Sequence, residues 1–180
     1  MASTLIGEMS SQVSLYRDKD TFLKLYCVYV RPHLEYAIQA WCPYTQEDKN
    51  ILEKVQKRAL AMVSNMNGKT YEERLAEVGM TTLETRRLRG DLIQMYRIMS
   101  GKDDVLPSTW FQTMTDSRGD GPGTRQSKGL YNVLPTASRT QIRKNFFSQR
   151  VVEPWNNLPD SVKAAESVNI FKNRLDGLLR

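Results

Sequence analysis

The sequence predicts a mainly α fold: a small helical bundle of about five to seven helices, with a long irregular loop segment and one short β-strand or hairpin. Three observations carry this. Apolar residues recur at i, i+3, i+4 and i+7 in several separate stretches, which is the signature of one-sided helices. Thr or Ser stands before several of them, twice with Glu three positions on, as in a capping box. Gly, Pro or Asn-Gly closes most of them. With 180 residues, 40% apolar and 26% charged, the chain can bury a core. No segment approaches the ~18 consecutive apolar residues of a membrane span.

The first 17 residues form a lead-in with a short apolar turn at Leu5, Ile6 and Met9, too weakly apolar for a secretory signal. Asp18 or Asp20 can cap the first helix. Thr21–Trp41 is the strongest apolar segment. Phe22, Leu25, Tyr26 and Tyr29 share a face, with Leu23 and Val30 beside them. Pro32 lacks an N–H and disfavours helical geometry at Arg31, so the helix is expected to end or kink there. Leu34, Ala37, Ile38 and Trp41 then predict a second helix, both facing a common core.

Cys42-Pro43-Tyr44 breaks that helix. Thr45 is the expected N-cap of the next, with Asp48 at its third position, running to about Asn65. Leu52, Val55, Ala59, Met62 and Val63 form its stripe, and Lys54, Lys57 and Arg58 its opposite face. Asn67-Gly68 marks a turn. Thr70 with Glu73 makes a capping box for a short helix to Val78, closed by Gly79. Thr81 with Glu84 repeats the box for a longer helix to Ser100, ended by Gly101. Leu88, Leu92, Met95, Tyr96 and Met99 face its core, and Arg86, Arg87 and Arg97 the other side, near Gly90. A mid-helix glycine suggests close approach of another backbone or a ligand, tight helix packing being the plainer account.

In the irregular segment Leu106, Trp110 and Phe111 are expected to pin the chain to the core, Asp120–Gly123 to turn, and Gly129–Leu134 to form the short strand. Thr140 to about Val152 predicts a helix anchored by Ile142, Phe146 and Val152. Trp155 is an apolar plug, Leu158-Pro159 a stop, and Ser167 the cap of a last helix bearing Val168, Phe171, Leu175 and Leu178. The expected organisation is a helical bundle over 1–101, an irregular connector over 102–138 and a C-terminal helical segment over 139–180 packing on that bundle as one compact unit.

The net charge of +6 is unevenly placed. No Asp or Glu occurs from Gly121 to Val152, a stretch holding Arg125, Lys128, Arg139, Arg143, Lys144 and Arg150. A local excess of one sign favours polyanions, and an ordinary solvated basic loop is the alternative. Cys27 and Cys42 are read as buried thiols of a reducing compartment. Catalytic constellations are missing from the sequence: there is no Gly-rich phosphate loop, no HExxH and no nucleophile elbow. One histidine and two cysteines, with no close-spaced ligand pair, give no zinc site, and neither metal nor cofactor is implied. His33, beside Pro32, is read as a structural hydrogen-bonder.

The segment LYCVYVRPHLEYAIQAW resembles the region just downstream of the polymerase palm in reverse transcriptases of non-LTR (LINE-type) retrotransposons. The likeness continues in order through LEKVQKRAL, KTYEERLAEVGMTTLETRRLRGDLIQMYRIMSGKD, NFFSQRVVEPWNNLP and FKNRLDGLL, covering the chain from Tyr16 onward. Pro154 departs from the family, which more often has a polar residue there. The resemblance implies the thumb and post-thumb part of an RNA-directed DNA polymerase. The aromatic-any-Asp-Asp turn of the catalytic palm is not in this sequence and is expected upstream of Met1, so no polymerase activity is expected of this chain itself.

Such a thumb grips primer–template through its backbone, so the implied partner is nucleic acid, RNA or an RNA–DNA duplex held weakly through phosphates, together with the upstream palm. The candidate contacts are Lys54, Lys57, Arg58, Arg86, Arg87, Arg97, Arg125, Lys128, Arg139, Arg143, Lys144 and Arg150. The competing expectation is a helical protein-interaction or structural remnant without nucleic-acid binding. No membrane partner is expected, and the nucleus or cytoplasm is the expected location.

Overall fold

A computed structural model describes residues 19–63, 66–113 and 132–179. The chain is mainly helical, and no strand occurs among the described residues. No described helix is long and apolar enough to cross a membrane. Contacts divide the chain into two compact units, one comprising 1–38 and 43–87 and the other 39–42 and 88–180. The boundaries expected after residues 101 and 138 do not coincide with this division. It falls inside a long helix whose Leu83 joins one core while its Leu92 and Met95 join the other.

The first unit opens with helix α1 (Lys19–Leu25), a π-helical segment over Tyr26–Val30, and α2 (Arg31–Glu35). The helix does not end at Arg31 as Pro32 suggested. In the π turn the Arg31 N–H bonds to the Tyr26 carbonyl, five residues back, and this wider winding accommodates the proline. It also explains which residues are buried. Phe22, Tyr26, Val30 and Leu34 line the core at a constant spacing of four. On a plain α-helix that spacing drifts by about 40° per step, because each residue turns about 100°. The looser π turn cancels part of the drift, and Tyr29, expected in the stripe, is 59% exposed.

The second helix expected from Leu34 to Trp41 is not formed. Tyr36 is extended (ψ 137°) and Ala37 takes a positive φ of 49°. Ile38 stays buried, but Trp41 is 45% exposed. His33 is exposed rather than set against the core. Neither cysteine is in a disulfide, and both are half-buried rather than buried.

Helix α3 (Gln46–Ala61) starts at the expected cap, where the Asp48 N–H donates to Thr45 Oγ1 at 3.1 Å. The reciprocal half differs from a true box, since the Thr45 hydroxyl itself donates to Asp48 Oδ2 at 2.6 Å. Helix α4 (Tyr71–Val78) carries the complete Thr70–Glu73 box. Gly79, at φ 64°, closes it, with its own N–H on the Ala76 carbonyl and the Met80 N–H on the Leu75 carbonyl. Helix α5 (Leu83–Met99) begins one residue later than expected. The cap is Thr82, which accepts from the Thr85 N–H at 3.2 Å. Thr81 instead offers its carbonyl to Gln56, and Glu84 pairs with Lys49 at 2.7 Å.

The second unit is built around the last three turns of α5, and its apolar centre is a ring stack. Tyr96 lies on Phe171 with centroids 4.3 Å apart, and Trp155 tilts against Phe171 at 6.1 Å. Short helices surround it: α6 (Pro107–Trp110), α7 (Gln141–Lys144), α8 (Phe147–Arg150), α9 (Val152–Asn156), α10 (Asp160–Lys163) and the longer α11 (Val168–Leu178), capped by Ser167 as expected. Several expectations fail here. Leu106 and Trp110 are exposed, so of the three expected anchors Phe111 is the one that is buried. The helix expected over 140–152 is broken at Phe146, whose backbone is extended (ψ 147°). Ile142 and Phe146 are exposed while Phe147, Val151 and Trp155 point inward at a spacing of four. Leu178, expected on the inner face of α11, is exposed as well.

Pro154 falls in the first turn of α9, where no intrahelical donor is needed. The expected strand is reduced to one antiparallel bridge between Thr113 and Val133, its residues 129–131 lying outside the described residues. The Asn156 side chain completes the pairing, accepting from the Val133 N–H at 3.0 Å and donating to its carbonyl at 2.8 Å. The lead-in, Asp18 and the 120–123 turn also lie outside the described residues.

Candidate nucleic-acid interface

The twelve basic candidates separate by what their charged ends already touch. Four are engaged within the fold. Arg86 forms a two-pronged pair with Glu35, its Nη2 donating to Oε2 at 3.0 Å, and that hydrogen bonding raises its already high pKa. Arg87 is buried and donates to the Leu34 carbonyl at 3.3 Å. Arg97 holds Asp103 at 2.7 and 2.5 Å, and this hydrogen bonding is the main reason the Asp103 carboxyl sits below its ordinary range. Arg150 donates to both Asp91 oxygens at 2.8 and 3.0 Å and to the Asn145 carbonyl at 2.8 Å. Arg86, Arg87 and Arg97 therefore form no shared open surface along α5, and Arg150 is an internal strut. Gly90 has a plain neighbour: its carbonyl faces the Gln39 amide at 3.5 Å.

Two candidates, Arg125 and Lys128, lie outside the described residues. Six are exposed. Lys54, Lys57 and Arg58 stand on the outer face of α3, where the apolar stripe puts them. Lys57 Nζ lies 4.8 Å from the Tyr71 ring centroid, a cation–π contact. In the second unit, Arg139, Arg143 and Lys144 are exposed around α7. The Thr140 hydroxyl caps this single turn by accepting from the Arg143 N–H at 3.3 Å, and Arg150 ties its far end down through the Asn145 carbonyl. Beside it lies an open cleft of about 490 Å³, lined among others by Ser138, Lys144, Gln149, Glu153 and Asn157.

The sequence reading missed the buried polar partners. Gln56 is fully buried, and its amide accepts from the Tyr26 hydroxyl at 3.0 Å and donates to Tyr71 Oη at 2.8 Å and the Thr81 carbonyl at 3.1 Å. The Tyr71 hydroxyl donates to Glu53, which also accepts from the Leu83 N–H and so caps α5. Burial, above all, pushes both tyrosine hydroxyls well above their ordinary range. A visible signal existed: Gln56 stands four residues from both Leu52 and Leu60, inside the apolar stripe. Lys163 was equally unforeseen. It is buried, its ammonium donating to Asn132 Oδ1 at 2.7 Å and the Asn156 carbonyl at 3.1 Å, and burial lowers its pKa.

No group of three or more His, Cys, Asp or Glu residues able to hold a metal ion occurs among the described residues. What the exposed cations can do is electrostatic: Arg offers planar donors for phosphate and Lys a mobile point charge. Comparison with known proteins found no matching family model, no matching curated protein and no matching solved structure.

Proposed function

We propose that this chain is a non-catalytic C-terminal fragment, thumb and post-thumb, of a retrotransposon RNA-directed DNA polymerase, and that it holds RNA or an RNA–DNA duplex through the phosphate backbone. The observation that carries the binding role is the state of Arg139, Arg143 and Lys144. They are exposed, no carboxylate of the described residues pairs with them, and they lie in a stretch with no acid from Gly121 to Val152. Arg86, Arg97 and Arg150 show the contrast, since each has its own carboxylate. The polymerase origin rests on the ordered resemblance from Tyr16 onward.

The test is a salt titration of the whole chain on a short labelled RNA–DNA hybrid. Binding is expected at low salt, with log affinity falling steeply against log salt. Replacing Arg139, Arg143 and Lys144 together by Gln should weaken it by about tenfold or more and flatten the slope by about 3, roughly one per lost phosphate contact. Absence of binding at low salt sinks the proposal. A second reading, a helical protein-interaction or structural remnant, draws on the exposed Val28 and Tyr29 of the first helical run and Tyr36 just past its end. It expects that triple substitution to leave partner binding intact.

A further inference from the structure

We propose that the turn Thr140–Phe146 and the adjoining cleft form a single-strand nucleic-acid site, in which Arg143 and Lys144 hold phosphates and the Phe146 ring stacks on a base. The inference rests on the nucleic-acid reading above and names the kind of strand that one surface takes.

The geometry begins with two adjacent phenylalanines of opposite fate. Phe147 is 6% exposed and packs edge-on against Phe111 at 6.1 Å, whereas Phe146 is 53% exposed. The extended backbone at Phe146 separates α7 from α8 and turns one ring inward and the other outward. Ile142, in the same turn, is 60% exposed. A lone exposed apolar side chain needs no explanation. Here, however, the exposed ring stands two and three residues after Lys144 and Arg143, which no carboxylate of the described residues pairs, and the turn carrying them is held from inside. Arg150 grips the Asn145 carbonyl while its other nitrogens are fixed on Asp91, which is itself buried. A surface set in advance lowers the ordering cost of binding.

Lys144 also lines the cleft, so the cationic turn and the cleft are continuous. About 490 Å³ lies within the range of small-molecule sites. Its amides are not equivalent. Asn156 is engaged with Val133, while Gln149 and Asn157 make no side-chain hydrogen bond within the described chain and can meet base edges. Glu153 lines the same cleft and repels a phosphate there, but accepts readily from an exocyclic amine. That polarity puts the backbone on Arg143 and Lys144 and a base toward the cleft. Only unpaired bases can take that arrangement, because those of a duplex already stack on each other.

The whole chain is titrated with a labelled single-stranded RNA and with the same sequence as a blunt duplex. The single strand is expected to bind about tenfold more tightly. Phe146→Ala should weaken the single strand about tenfold, with duplex affinity and salt slope unchanged. Phe146→Trp should retain binding, and Phe146→Leu, apolar but without a π face, should fail as Ala does. Equal binding of both forms with Phe146→Ala silent overturns this inference and leaves the backbone-binding reading standing. No nucleic-acid binding, with capture by phosphatidylserine vesicles that Phe146→Leu preserves, overturns both. Every variant changes an exposed side chain, and circular dichroism checks the fold.

Discussion

The two units use buried polar groups differently. In the first, the buried centre is a neutral amide, with Gln56 joining Tyr26, Tyr71 and Thr81 and Glu53 at the margin on Tyr71 and the α5 N-terminus, and the buried charge of Arg87 rests on the Leu34 carbonyl without a carboxylate. In the second, buried charges act as struts: Asp91 with Arg150, and Lys163 on two neutral oxygens with an Asp160 carboxylate oxygen 4.0 Å away. The difference follows from helix length. Helix α3 of the first unit, of 16 residues, is held by an apolar stripe and its cap. A four-residue helix cannot sustain itself, because nucleation costs more than one turn of hydrogen bonds returns. The second unit therefore pins its short pieces with long polar arms. Arg150 reaches back to the end of α7, Lys163 to the end of α9, and Asn156 to the extended chain at Val133.

The contrast can be broken where it is strongest. Asp91→Ala leaves the Arg150 guanidinium largely buried without its carboxylate, and should cost about 3 kcal/mol in urea unfolding, with amide exchange rising first around Asn145 and Arg150. A loss below about 1 kcal/mol would mean that the strut is dispensable.

Gln56→Leu should cost less, about 2 kcal/mol, because the groups it strands are neutral. The buried Tyr26 hydroxyl loses its acceptor and Thr81 a donor, whereas Tyr71 keeps Glu53. Adding Tyr26→Phe to Gln56→Leu removes the stranded hydroxyl and should return about 1 kcal/mol, which a double-mutant cycle measures.

The smallest effect is the pH response of Lys163. Burial, its largest influence, holds the ammonium below the ordinary 10.5, and Asp160 pulls the other way by less. The unfolded chain then binds that proton more tightly, so the contribution to stability rises with pH between the lowered value and 10.5. Urea midpoints of the parent relative to Lys163→Met should shift in the parent's favour from pH 7 to pH 10. A flat difference would mean that the ammonium is hydrated.

Local chemistry was legible in the sequence. Thr45, Thr70 with Glu73, Ser167 and Gly79 all act within five residues of themselves, and each cap stands where the sequence puts it. The stripe of α3 was visible for the same reason, and so were the exposed Lys54, Lys57 and Arg58. The fate of the other arginines was not, because their partners are remote: Glu35 is 51 residues from Arg86, and Asp91 is 59 from Arg150. The helix expected over 140–152 failed on a choice between neighbours. Phe147, Val151 and Trp155 repeat every four residues, whereas a stripe through Ile142 and Phe146 predicts one helix where the chain makes three. Nothing local marked the extended backbone at Tyr36 that ends α2 early.

The π turn before Pro32 has a consequence for insertions and deletions. A π turn amounts to one extra residue wound into a helix. Here that surplus residue and the proline stand next to each other, and each makes the other tolerable. Deleting one residue from Tyr26–Val30 would restore α winding, drive the Pro32 ring against the carbonyl four residues back and rotate Leu34 by about 100° away from the core. Pro32 and the length of the segment before it are thus a single heritable character: this stretch can change composition far more readily than it can change its count of residues.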